Sequence, residues 1–418
     1  MKIYQPFNDK LENIAEDQEF RVLISFENPS NREEFIKKYE NLKILGKIDI
    51  IPSILVDLKK AQVINYEKEE LIINIEEDQY LFPSMLDINE ILGLDEYKNS
   101  EILYTGKNVK VGIVDNGINR EFSSIADRSI KKYAINVKDV ISKENERKNE
   151  VTHATIIASI ISNRFQDINN NYIGIAPNVS ILDFDISNDS QKYSFYQILK
   201  VLDRIEKEKI NLDILFIPFT TKTSSDGKDL LSLACDLLVE KEIIVICPTG
   251  NFGPDNYTIG SPSSAKKAIT IGALTKELEI VNFSGRGPTL DERTKPDLCF
   301  PGYHIKIPLN KELMLNATGT SVSAAIGVGI IALIKEYDPT ITYDSLKELL
   351  TESSIDLNYD KNTQGLGTIN VLHLFSKLDL FHEKLVPYKY LIKKSIFTVI
   401  EIIIFLIVLF YIFYFFRI

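Results

Sequence analysis

Cysteine and histidine are scarce in this chain: its 418 residues hold three of the first and four of the second. Cys235, Cys247 and Cys299 lie far apart and none forms a C-x-x-C pair. Neither a zinc site nor a disulfide scaffold is expected, and buried free thiols are. Basic residues are outnumbered, 48 Lys and Arg against 59 Asp and Glu, for a formal net charge of −11. A phosphate-binding surface needs clustered cations, so no nucleic-acid partner is expected. The first ten residues, M-K-I-Y-Q-P-F-N-D-K, lack an apolar core of secretory-signal length. No internal repeat or low-complexity tract is present. What remains is ordinary for a folded protein, 44% hydrophobic and 26% charged, and the length suits one large domain with one small one.

The C-terminus differs sharply from the rest. From Ile396 to Phe416 only Thr398 and Glu401 are clearly polar, and Ile402 to Phe416 is apolar or aromatic throughout. That length and composition predict a single membrane-spanning helix over 395–416. Lys384, Lys389, Lys393 and Lys394 precede the span and only Arg417 follows it. The positive-inside tendency then puts the bulk of the chain on the cytoplasmic side, and the missing signal and sparse cysteine agree. A linker is expected at 379–394.

Two further parts are expected, 1–84 and 85–378. In the first, Phe20 to Phe26 reads as a strand and Asn31 to Tyr39 as a helix with an Asn or Ser cap. Leu42 to Leu58 holds two apolar, β-branched runs broken near Asp49 to Pro52. Lys59 to Tyr66 reads as a second helix and Leu71 to Ile75 as a closing strand. The order β-α-β-β-α-β is that of a small α+β, ferredoxin-like unit. In the second part, Val109 to Val114, Ile181 to Phe184, Ile214 to Phe219, Ile243 to Cys247 and Ile269 to Ile271 are short and apolar. Such runs suit an open parallel sheet covered by helices on both faces, with helices at Tyr193 to Lys207 and Asp229 to Glu242. The fold class expected is α/β.

In such a sheet, function collects where strands end and helices begin. Asp115 ends the run V-K-V-G-I-V-D and precedes Asn116 and Gly117. A carboxylate after a mostly apolar strand is costly unless hydrogen-bonded, although an Asp before Asn-Gly also makes a turn. His153 opens the apolar stretch H-A-T-I-I-A-S-I-I-S. Ser321 sits in A-T-G-T-S-V-S-A-A-I-G-V-G-I-I-A-L, where a helix N-terminus offers free N–H groups to a developing anion. A plain N-cap serine would look the same. Asn251 follows E-I-I-V-I-C-P-T-G, and its amide is a candidate donor to an oxyanion. No glycine-rich phosphate loop opens a helix after Asp115, which excludes a nucleotide-binding α/β protein.

Taken together, Asp115 in V-x-I-V-D-N-G, His153 in H-A-T-x-x-A, Asn251 in T-G-N and Ser321 in G-T-S-x-S-A resemble the four signature blocks of the subtilisin-like serine peptidases. Their order along the chain is that family's order. Asn170 to Pro177, Phe283 to Pro288 and Lys295 to Gly302 resemble further blocks, and the resemblance spans about 85–375. The 1–84 region resembles the family's N-terminal propeptide, an intramolecular chaperone and inhibitor. The resemblance implies acyl transfer to Ser321, with His153 as general base and Asp115 orienting it. Asn251 and the Ser321 N–H would form the oxyanion hole.

Departures from the family pattern are equally informative. Ala154 stands where the His block usually has Gly. Val322, Ala325 and Ile326 replace the usual Met, Pro and His of the Ser block. The substrate-lining S-L-G is replaced by I-P-F-T, Ile217 to Thr220, which makes Phe219 and Thr220 the candidate substrate-binding residues. Pro218 removes a ladder donor, and Thr220 in place of Gly narrows the pocket. The family's calcium loops have no convincing counterpart, Asn169 to Ile173 being short for one. No cofactor is expected, and structural calcium is the one metal the resemblance leaves open. The leading expectation is a membrane-anchored serine endopeptidase of restricted specificity acting on a peptide or protein substrate. The loosened blocks also fit a catalytically impaired member that binds a peptide or partner at the membrane.

Overall fold

The computed structural model describes residues 18–48, 52–77, 91–98, 104–122, 130–134, 150–166, 173–187, 193–309 and 313–378, with a few positions before residue 18. The linker, the predicted span at 395–416 and most of 169–173 lie outside the described residues. The chain divides into two compact units, Met1–Phe82 and Pro83–Ile418.

The first unit is an antiparallel four-stranded sheet with two helices. Its elements are β1 (Glu19–Phe26), α1 (Pro29–Lys38), β2 (Ile44–Ile48), β3 (Ser53–Lys59), α2 (Lys60–Tyr66) and β4 (Ile72–Glu77). The sheet order is β2-β3-β1-β4. Period-2 patterning explains the arrangement. Phe20, Val22, Ile24 and Phe26 of β1 and Ile54, Val56 and Leu58 of β3 are buried, and the register pairs Val22 with Val56 and Ile24 with Ile54. Phe35 of α1 and Val63 of α2 complete that core. Helix α1 starts two residues before the sequence-based boundary. Asn28 caps it, accepting from the Asn31 N–H at 2.9 Å, and Pro29 takes the first turn, where no N–H is needed.

The second unit is built on a seven-stranded parallel sheet. Its strands are β5 (Lys110–Asp115), β6 (Lys131–Ala134), β7 (Ser180–Asp185), β8 (Ile214–Phe216), β9 (Ile244–Pro248), β10 (Ile269–Leu274) and β11 (Leu298–Pro301). They lie in the order β11-β10-β9-β8-β5-β7-β6, every neighbouring pair parallel. Helices α4 (His153–Ser162), α5 (Phe195–Lys207), α6 (Leu230–Glu240), α7 (Thr320–Tyr337) and α8 (Tyr343–Ser353) surround it, and a short α3 (Leu94–Lys98) precedes it. Alternate residues of each strand serve opposite faces. Val111, Ile113, Ile214, Phe216, Ile244 and Ile246 join α4, α7 and α8, whereas Val114, Leu215, Val245 and Cys247 join α5 and α6. The α/β class expected from the sequence is the one observed.

Strand β8 is shorter than the apolar run Ile214–Phe219. Its last ladder bond is from the Ile217 N–H to the Ile246 carbonyl; Pro218 then has no N–H to give. Edge strand β6 (K-K-Y-A) carries no apolar run and was not anticipated. Helix α7 is the one described helix long and apolar enough to cross a bilayer. It lies instead in the core, against α4 and strands β8 to β11. The order of the sheet reverses between β5 and β8: β6 and β7 lie on one side of that junction, and β9 to β11 on the other. The carboxyl ends of β5 and β8 therefore flank the crevice where ligands of open α/β sheets bind.

Candidate active site

Asp115 is the last residue of β5 and is fully buried. The turn after it is fastened to the start of α4. The Asn116 N–H donates to Asp115 Oδ1 (2.7 Å), and Asn116 Oδ1 accepts from the Ala154 N–H (3.0 Å). Thr152 caps α4, accepting from the Thr155 N–H, and its hydroxyl donates to the Gly117 carbonyl at 2.7 Å. The Asn119 N–H donates to Thr155 Oγ1 (2.8 Å). This weld fixes His153, the first residue of α4, relative to Asp115. Asn116, Thr152 and Thr155 were not picked out in the sequence, although a Thr one residue before an apolar helix is an ordinary capping signal.

His153 Nδ1 lies 2.6 Å from Asp115 Oδ2, and Nε2 lies 3.0 Å from Ser321 Oγ. The three side chains come from β5, α4 and the second residue of α7, separated by 38 and 168 positions. Burial of the imidazole works against its charged form. The charge of Asp115 and the hydrogen bond to it more than offset that, so the His153 pKa lies above its ordinary value. This arrangement can take the hydroxyl proton of Ser321 and carry it on a stabilised imidazolium.

Asn251 follows β9 and is exposed. Its Oδ1 accepts from both the N–H and the hydroxyl of Thr320, each at 3.0 Å. That pair of hydrogen bonds from Thr320 aims Nδ2 the other way. A Cβ built on Gly319 would sit 3.5 Å from Asn251 Nδ2 and 3.5 Å from Ser321 Oγ. The two groups therefore face a common space that stays open because residue 319 is glycine, at φ 154°. Nδ2 and the Ser321 N–H at the start of α7 can serve one oxyanion there. Thr320 orients Asn251, and its Oγ1 also accepts from the Gly250 N–H (3.2 Å). Its place beside Ser321 was the only signal in the sequence.

Phe219 and Thr220 follow β8 at the same crevice. The Phe219 ring centroid lies 6.2 Å from that of His153 and 4.7 Å from that of Tyr193, a neighbour not anticipated. The Phe219 and Thr220 N–H groups make no hydrogen bond among the described residues. They leave a short open edge for an extended chain. No group of three or more His, Cys, Asp or Glu gathers among the described residues. The three cysteines are free and buried.

The family model described as the subtilase family matches residues 106–369. Serine protease AprX of Bacillus subtilis is 27% identical over 303 residues, covering 65% of this chain and 67% of that protein. Subtilisin DY of Bacillus licheniformis is 25% identical over 270 residues, 64% of this chain and 91% of that protein. Among solved structures, the fold is similar to an epidermin leader peptide processing serine protease of Staphylococcus aureus. The TM-score there is 0.55 at 17% identity, covering 85% of this chain and 98% of that one. The CspB protease of Clostridium perfringens is similar at a TM-score of 0.58 and 17% identity, covering 69% and 98%. The family match takes in every residue from Asp115 to Ser321 and well over half of the chain, and with it this protein belongs to the subtilase family of serine endopeptidases.

Proposed function

We propose that Asp115, His153 and Ser321 are the catalytic residues of a membrane-anchored processing endopeptidase with restricted specificity. The observation that carries the reading is the His153 ring held between Asp115 Oδ2 at 2.6 Å and Ser321 Oγ at 3.0 Å. Ser321 Oγ attacks the scissile carbonyl carbon while its proton passes to His153 Nε2. The carbonyl oxygen becomes an oxyanion held by Asn251 Nδ2 and the Ser321 N–H. Asp115 holds Nδ1 protonated and stabilises the imidazolium. His153 then gives the proton to the departing amine nitrogen, leaving an ester on Ser321. Water, deprotonated by the same ring, releases the acid and restores the hydroxyl.

The first unit is assigned as an intramolecular inhibitor, on its separate fold and its resemblance to the family's propeptides. The second unit sets a limit on where it can be cut away. Leu92 and Leu94 are fully buried there, and the Leu92 carbonyl accepts from the Val371 N–H at 2.6 Å. A junction beyond residue 91 would remove core, so the cut falls after Glu77, where β4 ends, and before Leu92. The apolar run at 395–416 supports a single span, and the lysines before it support a catalytic unit on the cytoplasmic side. Pro218 and Thr220 support a narrow substrate range, such as one precursor's leader. Broad cleavage of a denatured-protein mixture would overturn that part.

The test is labelling of the full-length protein with a fluorophosphonate, alongside intact mass of the wild type and Ser321→Ala. A label on Ser321 and a wild-type chain shortened by the first unit are expected. An unlabelled Ser321 in a folded wild type would overturn the catalytic reading.

A further inference from the structure

One side chain stands between the two segments that follow β8 and β9. Strands β8 and β9 are neighbours, and their extensions, Ile217–Thr220 and Thr249–Asn251, form two walls at their carboxyl ends. A peptide poised for attack has its carbonyl oxygen toward Asn251 and its leaving nitrogen toward His153. The third substituent of the reacting carbon is the α-carbon of the acyl-side residue. Placed over the gap between those walls, its side chain would enter the gap.

The Thr220 methyl stands in that gap. A Cβ built on Gly250 would lie 2.5 Å from Thr220 Cγ2 and 3.0 Å from the edge of the Phe252 ring. Gly250 also has φ 88°, a conformation that excludes most other residues. The methyl group of Thr220 therefore rests on the bare α-carbon of the opposite wall. The Thr220 hydroxyl oxygen is buried and has no hydrogen-bond partner. A side chain of several carbons has no entry unless Thr220 leaves.

Resting on the peptidase reading above, we propose that Thr220 is the specificity-determining residue for the acyl-side position. It restricts cleavage to bonds that follow glycine, alanine or serine. The substrate class is thus a peptide with a small residue immediately before the scissile bond.

The test uses full-length wild type, Thr220→Gly and Thr220→Val in detergent, each with a peptide library from a digested proteome. Cut positions are read by mass spectrometry and fluorophosphonate labelling is measured in parallel. Wild type should favour small residues over Leu and Phe by roughly tenfold or more, the scale on which a pocket discriminates a single methylene. Thr220→Gly should shift the ratio toward Leu and Phe by a similar factor. Thr220→Val keeps the shape without the hydroxyl and should retain the wild-type preference. A labelled wild type that cuts after Leu or Phe as readily as after Ala overturns this inference and leaves the peptidase reading standing. So does a Thr220→Val profile like that of Thr220→Gly. Labelling without any cleavage by Thr220→Gly also counts against the crevice, because the enlarged gap should admit common side chains. Neither label nor cleavage in any of the proteins brings down both readings.

Discussion

Replacing Asp183 by asparagine should make the second unit relatively more stable as the pH rises. Asp183 lies in β7, fully buried; its Oδ2 accepts from the Ile118 N–H at 3.0 Å and its Oδ1 has no partner. Burial pushes its carboxyl up to about 7, and the charge of Asp185 adds to the rise. The Ile118 hydrogen bond, Lys132 and Arg120 oppose it. In the unfolded chain the same group titrates near ~4. The folded state thus holds this proton more tightly. The associated stability is complete below about pH 4 and is lost as the pH climbs through about 7. That gap is worth on the order of 4 kcal/mol in all, of which roughly 3 falls between pH 5 and 8. Asparagine has the shape of the neutral acid and its amide oxygen can keep the Ile118 bond. The assay is chemical unfolding across pH 5–8 in a Ser321→Ala background, which prevents self-digestion. The difference between the two proteins should grow toward pH 8, in favour of Asp183→Asn. A difference that stays constant with pH, or that grows in favour of the wild type, would refute the reasoning.

Asn251→Ala should lower turnover by about 10²–10³, the scale measured for such a donor in a subtilisin, with a smaller effect on KM; progress curves on a cleaved peptide check it. Gly319→Ala should sharply slow labelling of Ser321, since its methyl would enter the space shared by Asn251 Nδ2 and Ser321 Oγ, and should also lower the unfolding midpoint, because alanine is strained at φ 154°. Thr152→Ala should cost about 1 kcal/mol through the lost cap and also slow labelling, because the same hydroxyl ties α4 to Gly117. The acid limb of kcat/KM should lie above the ordinary histidine value, because the neutral ring is the base and Asp115 favours the charged one. A limb at or below that value would argue against the close pairing of the ring with Asp115.

Much of the fold was legible because buried parallel strands have no solvent face to encode. Ile214–Phe216 and Ile244–Pro248 are buried at every position, so apolar runs locate them without ambiguity. Helix starts at α5 and α6 fell within two residues of the boundaries expected from the sequence. Asp229 caps α6 and Ser194 caps α5 with Gln197 completing a capping box. Strand β6 was missed for the opposite reason: its K-K-Y-A carries charge, which suits an edge and looks like a loop. Asp183 was absorbed into an apolar run, Ile181–Phe184, because nothing local marks a carboxyl whose proton folding holds more tightly.

The candidate site divides along the same line. Proton transfer and oxyanion binding need particular functional groups at the ends of particular elements, so Asp115, His153, Asn251 and Ser321 stand out as residue types in sequence. Their supports do not. Thr320 acts through bonds to Asn251, 69 positions away, and to Gly250, and Asn116 through one to Ala154, 38 away. Specificity is less legible still, because it is decided by space. Thr220 stands out in sequence only against the family's glycine, and the surface its methyl meets, Gly250, lies 30 positions on. The two form a matched pair: threonine can lie there because residue 250 has no side chain, and the gap is closed because residue 220 has one. A chain with glycine at both positions would keep the same proton relay and accept a different peptide. Substrate range in this fold can therefore change by single substitutions that leave the chemistry untouched.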